Sequence, residues 1–78
     1  MGTSLRRPTA VTELQHEVEA IGRAVDEGGP VSRDELSRVV GGRRWGPGRF
    51  GRALGEAVAS GRIRRTARGR FEPSEPGT

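Results

Sequence analysis

A mainly α, α+β fold is what this sequence predicts: a three-helix bundle followed by a C-terminal β-hairpin. Three observations predict it. Apolar residues recur at helical spacing in three consecutive segments, clusters of glycine and proline separate those segments, and after Gly61 the pattern changes to the alternation of short strands. A chain of 78 residues has room for one domain and one small core.

The expected order begins with a loose arm over residues 1–11, polar and interrupted by Pro8. A first helix over about 13–27 follows. Thr12 is its candidate cap and Gln15 the capping-box partner, and Leu14, Val18, Ile21 and Val25 form one apolar stripe. Gly28, Gly29 and Pro30 end it. The second helix, about 33–40, opens with Ser32 as cap, Glu35 as reciprocal partner, and Val31 and Leu36 at the positions of a hydrophobic staple. Leu36, Val39 and Val40 are its expected inward residues, and Gly41-Gly42 its stop.

The third helix is expected over 47–60, with Pro47 at the first helical position and Phe50, Ala53, Leu54, Ala57 and Val58 buried. A hairpin over about 62–72 comes next. Ala67-Arg68-Gly69 is its tight connection, and Ile63 and Phe71 point inward. Such a hairpin is marginal alone and must dock on the helices. Residues 74–78 read as a disordered tail, which leaves 12–73 as the domain. The apolar fraction is 31% and the aromatic residues are Trp45, Phe50 and Phe71, so a stability of only a few kcal/mol is expected.

Charge divides the chain more sharply than its net value of +4 suggests. From Arg38 to Arg70 there are ten arginines and one acid, Glu56, a local formal charge of +9. From Thr9 to Ser37, Arg23 and Arg33 stand against seven acids, a local charge of −5. The chain has no lysine, and a GC-rich genome favours arginine by itself, so the placement of the arginines informs more than their identity. A basic half that also carries a helix and a hairpin is the electrostatic footprint of a duplex-DNA reader.

Val31-Ser32-Arg33-Asp34-Glu35-Leu36, the segment Pro47 to Ser60, and Gly61-Arg62-Ile63-Arg64-Arg65-Thr66 with Arg70-Phe71-Glu72-Pro73 together resemble the winged helix-turn-helix family. The resemblance covers residues 12–73 and rests on element order and pattern. One departure is the connection between the second and third helices, about six residues, longer than the simplest turn. The resemblance implies that the third helix enters the major groove and that the hairpin, as a wing, lies on the backbone or the minor groove.

The residues themselves agree. At about 100° per residue, the face of the third helix opposite Phe50 and Leu54 carries Gly48, Arg52, Gly55 and Ala59, flanked by Arg49 and Glu56. Arg49 and Arg52 are the candidates for base edges, where a guanidinium reads guanine O6 and N7. Arg43 and Arg44 are placed for phosphates, and Arg62, Arg64, Arg65, Arg68 and Arg70 for wing contacts. Gly48, Gly51 and Gly55 inside a helix cost about 1 kcal/mol each relative to alanine. With Ala59 they form a strip that a groove wall or a second helix could approach closely. Codon bias is the competing explanation.

Trp45 is expected to plug the core beside the loop, with stacking on a base or sugar as the alternative. His16 lies on the far face of the first helix and is expected in solvent. One histidine and no cysteine supply neither a zinc set nor a disulfide, and no cofactor motif stands out. There is no nucleophile–base pair, and no apolar run of membrane-spanning length. The expectation is a small non-enzymatic DNA-binding protein of a bacterial cytoplasm: a transcriptional regulator, or a mobile-element or nucleoid factor. The alternatives are a protein-interaction module, dimerising or docking on a transcription partner, and an RNA binder.

Overall fold

The structure, a computed structural model, describes residues 9–74, with side chains described from residue 13. Helix α1 spans Thr9–Gly28, α2 Arg33–Val40 and α3 Arg49–Ala59, and a 3₁₀ turn at Gly42–Trp45 joins α2 to α3. Strands β1, Ile63–Arg65, and β2, Phe71–Pro73, pair antiparallel with Arg64 opposite Glu72. Three helices followed by a two-stranded hairpin make the expected α+β class, in a winged-helix-like arrangement. No helix among the described residues is long and apolar enough to cross a membrane.

Helix α1 begins earlier than its sequence signals suggest. Residues 9–11, expected in the arm, are helical, and Thr12 lies inside the helix instead of capping it. Nothing in Thr9-Ala10-Val11 breaks a helix, so the signal at Thr12 had no stop behind it. The rest of the expected arm, and residues 75–78 of the expected tail, lie outside the described residues.

Helix α2 has its expected bounds because its ends are specified locally. The Ser32 hydroxyl accepts from the Glu35 N–H at 3.1 Å, and the Glu35 carboxylate accepts from the Ser32 N–H at 3.2 Å, a complete capping box. At the other end Gly41 takes a left-handed φ of 69° and donates to the Arg38 carbonyl at 3.3 Å. The expectation for Val39 fails. It is 69% exposed, whereas Leu36 is buried and Val40 packs on the core. Leu36 and Val40, one turn apart, carry the contact of this short helix, and Val39 lies about 60° to the side of Leu36.

Helix α3 starts two residues later than expected. Gly46-Pro47-Gly48-Arg49 forms a β-turn closed by the Arg49 N–H donating to the Gly46 carbonyl at 3.2 Å, with Gly48 at φ 76°, ψ −9°. Those are the angles that position i+2 of a type II turn requires, and proline favours position i+1. Pro47 is thus a turn residue and Gly48 a cap, and only Gly51 and Gly55 of the three glycines lie within the helix. The C-terminus is a Schellman motif. The Arg62 N–H donates to the Ala57 carbonyl at 2.9 Å and the Gly61 N–H to that of Val58 at 3.1 Å, with Gly61 at φ 83°.

The hairpin connection is Ala67-Arg68-Gly69 as expected. The Thr66 N–H donates to the Arg70 carbonyl at 2.7 Å across it, and the Thr66 hydroxyl accepts from the N–H groups of Arg68 and Arg70. The other edge of β2 is also occupied. Val31 and Phe71 exchange two backbone hydrogen bonds, of 3.0 and 2.8 Å, which makes the residue before the α2 cap a third, one-residue member of the sheet. This bridge holds the hairpin against the helices.

One core serves all elements. Ile21 and Val25 of α1, Leu36 of α2, Phe50, Ala53, Leu54 and Ala57 of α3, and Ile63 and Phe71 of the hairpin are buried together. Leu14, Val18, Val31, Val40, Val58 and Trp45 pack at its margin. The Trp45 ring lies 6.0 Å from that of Phe50 at 50°, beside the loop. At the start of the same turn, a Cβ on Gly42 would lie 2.7 Å from the Phe50 ring, so a side chain there has no room.

The last fold-determining contact is electrostatic. Arg62, immediately before β1, reaches back across α1 and lies on Gly22, where a Cβ would fall on its guanidinium. Its Nε and Nη2 donate to the Glu19 carboxylate at 3.3 and 3.1 Å, and Nη1 and Nη2 to Asp26 at 3.5 and 3.1 Å. Glu19 and Asp26 flank Gly22 on one side of α1, three residues before it and four after. The hydrogen bonds to Arg62, and then its charge, hold the Glu19 carboxyl below the usual carboxylate range. The same partners raise Arg62 above the ordinary arginine value.

Two predictions follow from this clamp. In a typical helix Gly→Ala gains about 1 kcal/mol. Here Gly22→Ala displaces Arg62 and is expected to yield little of that gain, whereas in an Arg62→Ala background it recovers it. Denaturant titration of the four proteins should give a coupling of about 0.5–2 kcal/mol, and simple additivity would show that Arg62 moves aside without cost. A carboxyl whose folded value is lowered contributes stability above its unfolded value, and that contribution is lost as pH falls through the folded one. The melting-temperature gap between wild type and Glu19→Gln should therefore be steady near neutrality and close below the ordinary value of 4.5.

Candidate nucleic-acid interface

The arginines expected at a site divide into three groups once folded. Arg49 and Arg62 face inward onto α1. Arg49 sits at the first turn of α3, where α3 crosses the start of α1, and its Nη2 donates to Glu13 at 3.1 Å and also to Glu17. Glu17 is 12% exposed and Arg49 41%, so the carboxylate side of this pair is sheltered and the guanidinium side is partly open to water. Arg49, a candidate for base edges in the sequence, thus joins two helices and has its guanidinium engaged by the start of α1. Arg62 is engaged as described above. Between them these two arginines cover four of the acids of α1.

Arg64 forms the second group. It pairs with Glu72, its directly opposite neighbour across the hairpin, through Nε at 3.1 Å and through Nη2. Opposite charges at facing positions stabilise an antiparallel pair by about 0.2–1 kcal/mol.

The third group is cationic and outward. No acid among the described residues pairs with Arg38, Arg43, Arg44, Arg52, Arg65, Arg68 or Arg70, and all seven are exposed. Arg43 and Arg44 lie in the 3₁₀ turn before α3. With Arg38 and Arg33 of α2 they border a shallow depression of about 660 Å³ in which Asp34 is the one acid. Arg68 and Arg70 border a second depression beside Thr66 and Pro30. Arg65 borders a third feature, a groove of about 390 Å³ between α3 and the hairpin. Leu54, Val58 and Phe71 supply its apolar lining, Gly51, Gly55 and Ala59 its small residues, and Arg33 the other cation of the rim.

Arg33 and Arg38 were not singled out by the sequence, and Arg33 proves the more informative. Its guanidinium carbon lies 5.3 Å from the centroid of the Phe50 ring, within the range of a cation–π contact, and Nη2 approaches the backbone of Gly51. Arg33 borders both the turn depression and the groove, so it links the arginines of the turn to Arg65 of the hairpin. In the sequence it stands beside Asp34 and Glu35 in the acidic half, which masks it. Its only signal is its position directly after a strong N-cap.

The outward face of α3 carries two charged and two small residues. Arg52, Gly55, Glu56 and Ala59 are exposed and Gly51 is half-buried. Arg52 lies away from the hairpin groove, beside a small cleft shared with Arg49, Glu13 and Glu17. His16 is exposed on α1, as expected. Among the described residues no three His, Cys, Asp or Glu side chains gather to hold a metal ion. Comparison with protein-family models, with curated proteins and with solved structures finds no match to this chain.

Proposed function

We propose that this protein binds duplex DNA without catalysing a reaction, with α3 at the major groove and the arginines of the turn and hairpin on the flanking phosphates. One observation carries the reading. Four of the five acids of α1 are matched by Arg49 and Arg62 within the fold, and among the described residues eight outward arginines on α2, the turn, α3 and the hairpin have no carboxylate partner. A polyanion meeting those elements is opposed by few uncompensated carboxylates, and each phosphate neutralised releases counterions. A role as regulator of transcription or as a mobile-element or nucleoid factor fits such a protein. A second reading, a protein-docking module, is favoured by the apolar lining of the groove between α3 and the hairpin.

Fluorescence-anisotropy titration of labelled duplex over a range of salt tests the proposal. With about five phosphates engaged, log K should fall against log salt with a slope of roughly −4 to −5. Arg43→Ala, Arg44→Ala and Arg68→Ala should each make the slope shallower by about 1 and weaken all sequences alike. Arg49→Ala should instead lower the melting temperature and leave the slope in place. Absence of binding to any duplex, or binding indifferent to salt, would overturn the reading. Tighter binding to structured RNA than to duplex DNA would redirect it.

A further inference from the structure

We infer that α3 docks on the duplex without reading its base sequence, so that the protein binds DNA of almost any sequence with similar affinity. The inference rests on the DNA-binding proposal and deepens it.

Sequence is read by side chains that donate to or accept from base edges, and phosphate contacts carry no such information. The exposed positions of α3 are Arg52, Gly55, Glu56 and Ala59. Two of them have no functional group, and Gly51 beside them is covered by the Arg33 guanidinium. Arg49, the other cation of the helix, is engaged by Glu13 and Glu17. Arg52 is thus the one cation on the exposed face of α3, with Glu56 one turn on, a carboxylate that a polyanion disfavours. One good bidentate contact discriminates against the wrong base by about 5- to 150-fold. Sequence-specific proteins prefer their sites by about 10³–10⁷-fold. A single Arg52 falls short of the lower end of that range. The hairpin arginines would add only the degenerate code of the minor groove, which separates A·T from G·C and little else.

Gly55 suits the same purpose. Its φ is not in the left-handed region, and a Cβ there would meet nothing within 4 Å, so neither backbone geometry nor packing calls for glycine. Relative to alanine it costs the helix about fivefold in folding equilibrium. A bare helix surface is what lets a sugar–phosphate wall approach the backbone closely at any sequence.

The test is selection of the full chain against a randomised duplex pool at fixed ionic strength, with affinities then measured for the most enriched duplexes and for the unselected pool. The expected result is salt-dependent binding with the best duplex less than about 100-fold tighter than the pool, and Arg52→Ala should remove most of whatever preference exists. A preference above about 10³-fold would overturn the inference and leave the DNA-binding proposal standing. Binding to no duplex would overturn both. Gly55→Ala should fold, melt at a higher temperature than wild type and bind every duplex more weakly. Unchanged affinity in that variant would overturn the close approach.

Discussion

Much of this molecule is organised by a single arginine that crosses a glycine. Arg62 leaves the Schellman turn at the end of α3, passes over Gly22 and divides its guanidinium between Glu19 and Asp26. It does three things at once. It fixes where the hairpin departs from the bundle, it sets the separation of α1 from the α3 terminus, and it neutralises two acids of α1. Isolated surface ion pairs contribute about 0–1 kcal/mol. A partly sheltered fork with two carboxylate partners is a better case, because one immobilised side chain serves both. In a chain with so small an apolar core, even a contribution of that order bears on the net stability.

The charge asymmetry of the chain looks different once folded. In sequence it is an acidic first half and a basic second half. In three dimensions the halves interlock: Arg49 and Arg62 of the basic half lie on the acids of α1, at its beginning and further along. What remains outward is a smaller cationic set with few acids near it. The dipole of the sequence is partly spent on assembly and partly displayed, and only the geometry says which arginine does which.

Legibility followed the range of the forces involved. Helix α2 was readable to the residue, since Ser32, Glu35 and Gly41 settle its ends through contacts within one turn. The buried residues of α3 and the inward Ile63 and Phe71 followed from periodicity alone. Pro47 misled, because proline suits both the first position of a helix and the second position of a turn, and the flanking Gly46 and Gly48 favour the turn. The Val31–Phe71 bridge and the inward placement of Arg49 and Arg62 could not be read. They join residues more than thirty positions apart, and no local pattern encodes such a pairing. At the candidate interface the outward arginines of the turn and hairpin were legible as a group, while Arg33 was hidden by its acidic neighbours.

The Val31–Phe71 bridge has a mechanical consequence. Because Val31 abuts the cap of α2 and Phe71 begins the returning strand, the N-terminus of α2 and the hairpin form one body. The backbones that carry Arg33 and Arg65 are then held at a set span instead of moving independently. A surface whose cations are already spaced gives up less freedom when an extended, regularly charged ligand arrives. A two-residue sheet contact, negligible in area, in this way sets the spacing of the α2 terminus and the hairpin within the cationic face.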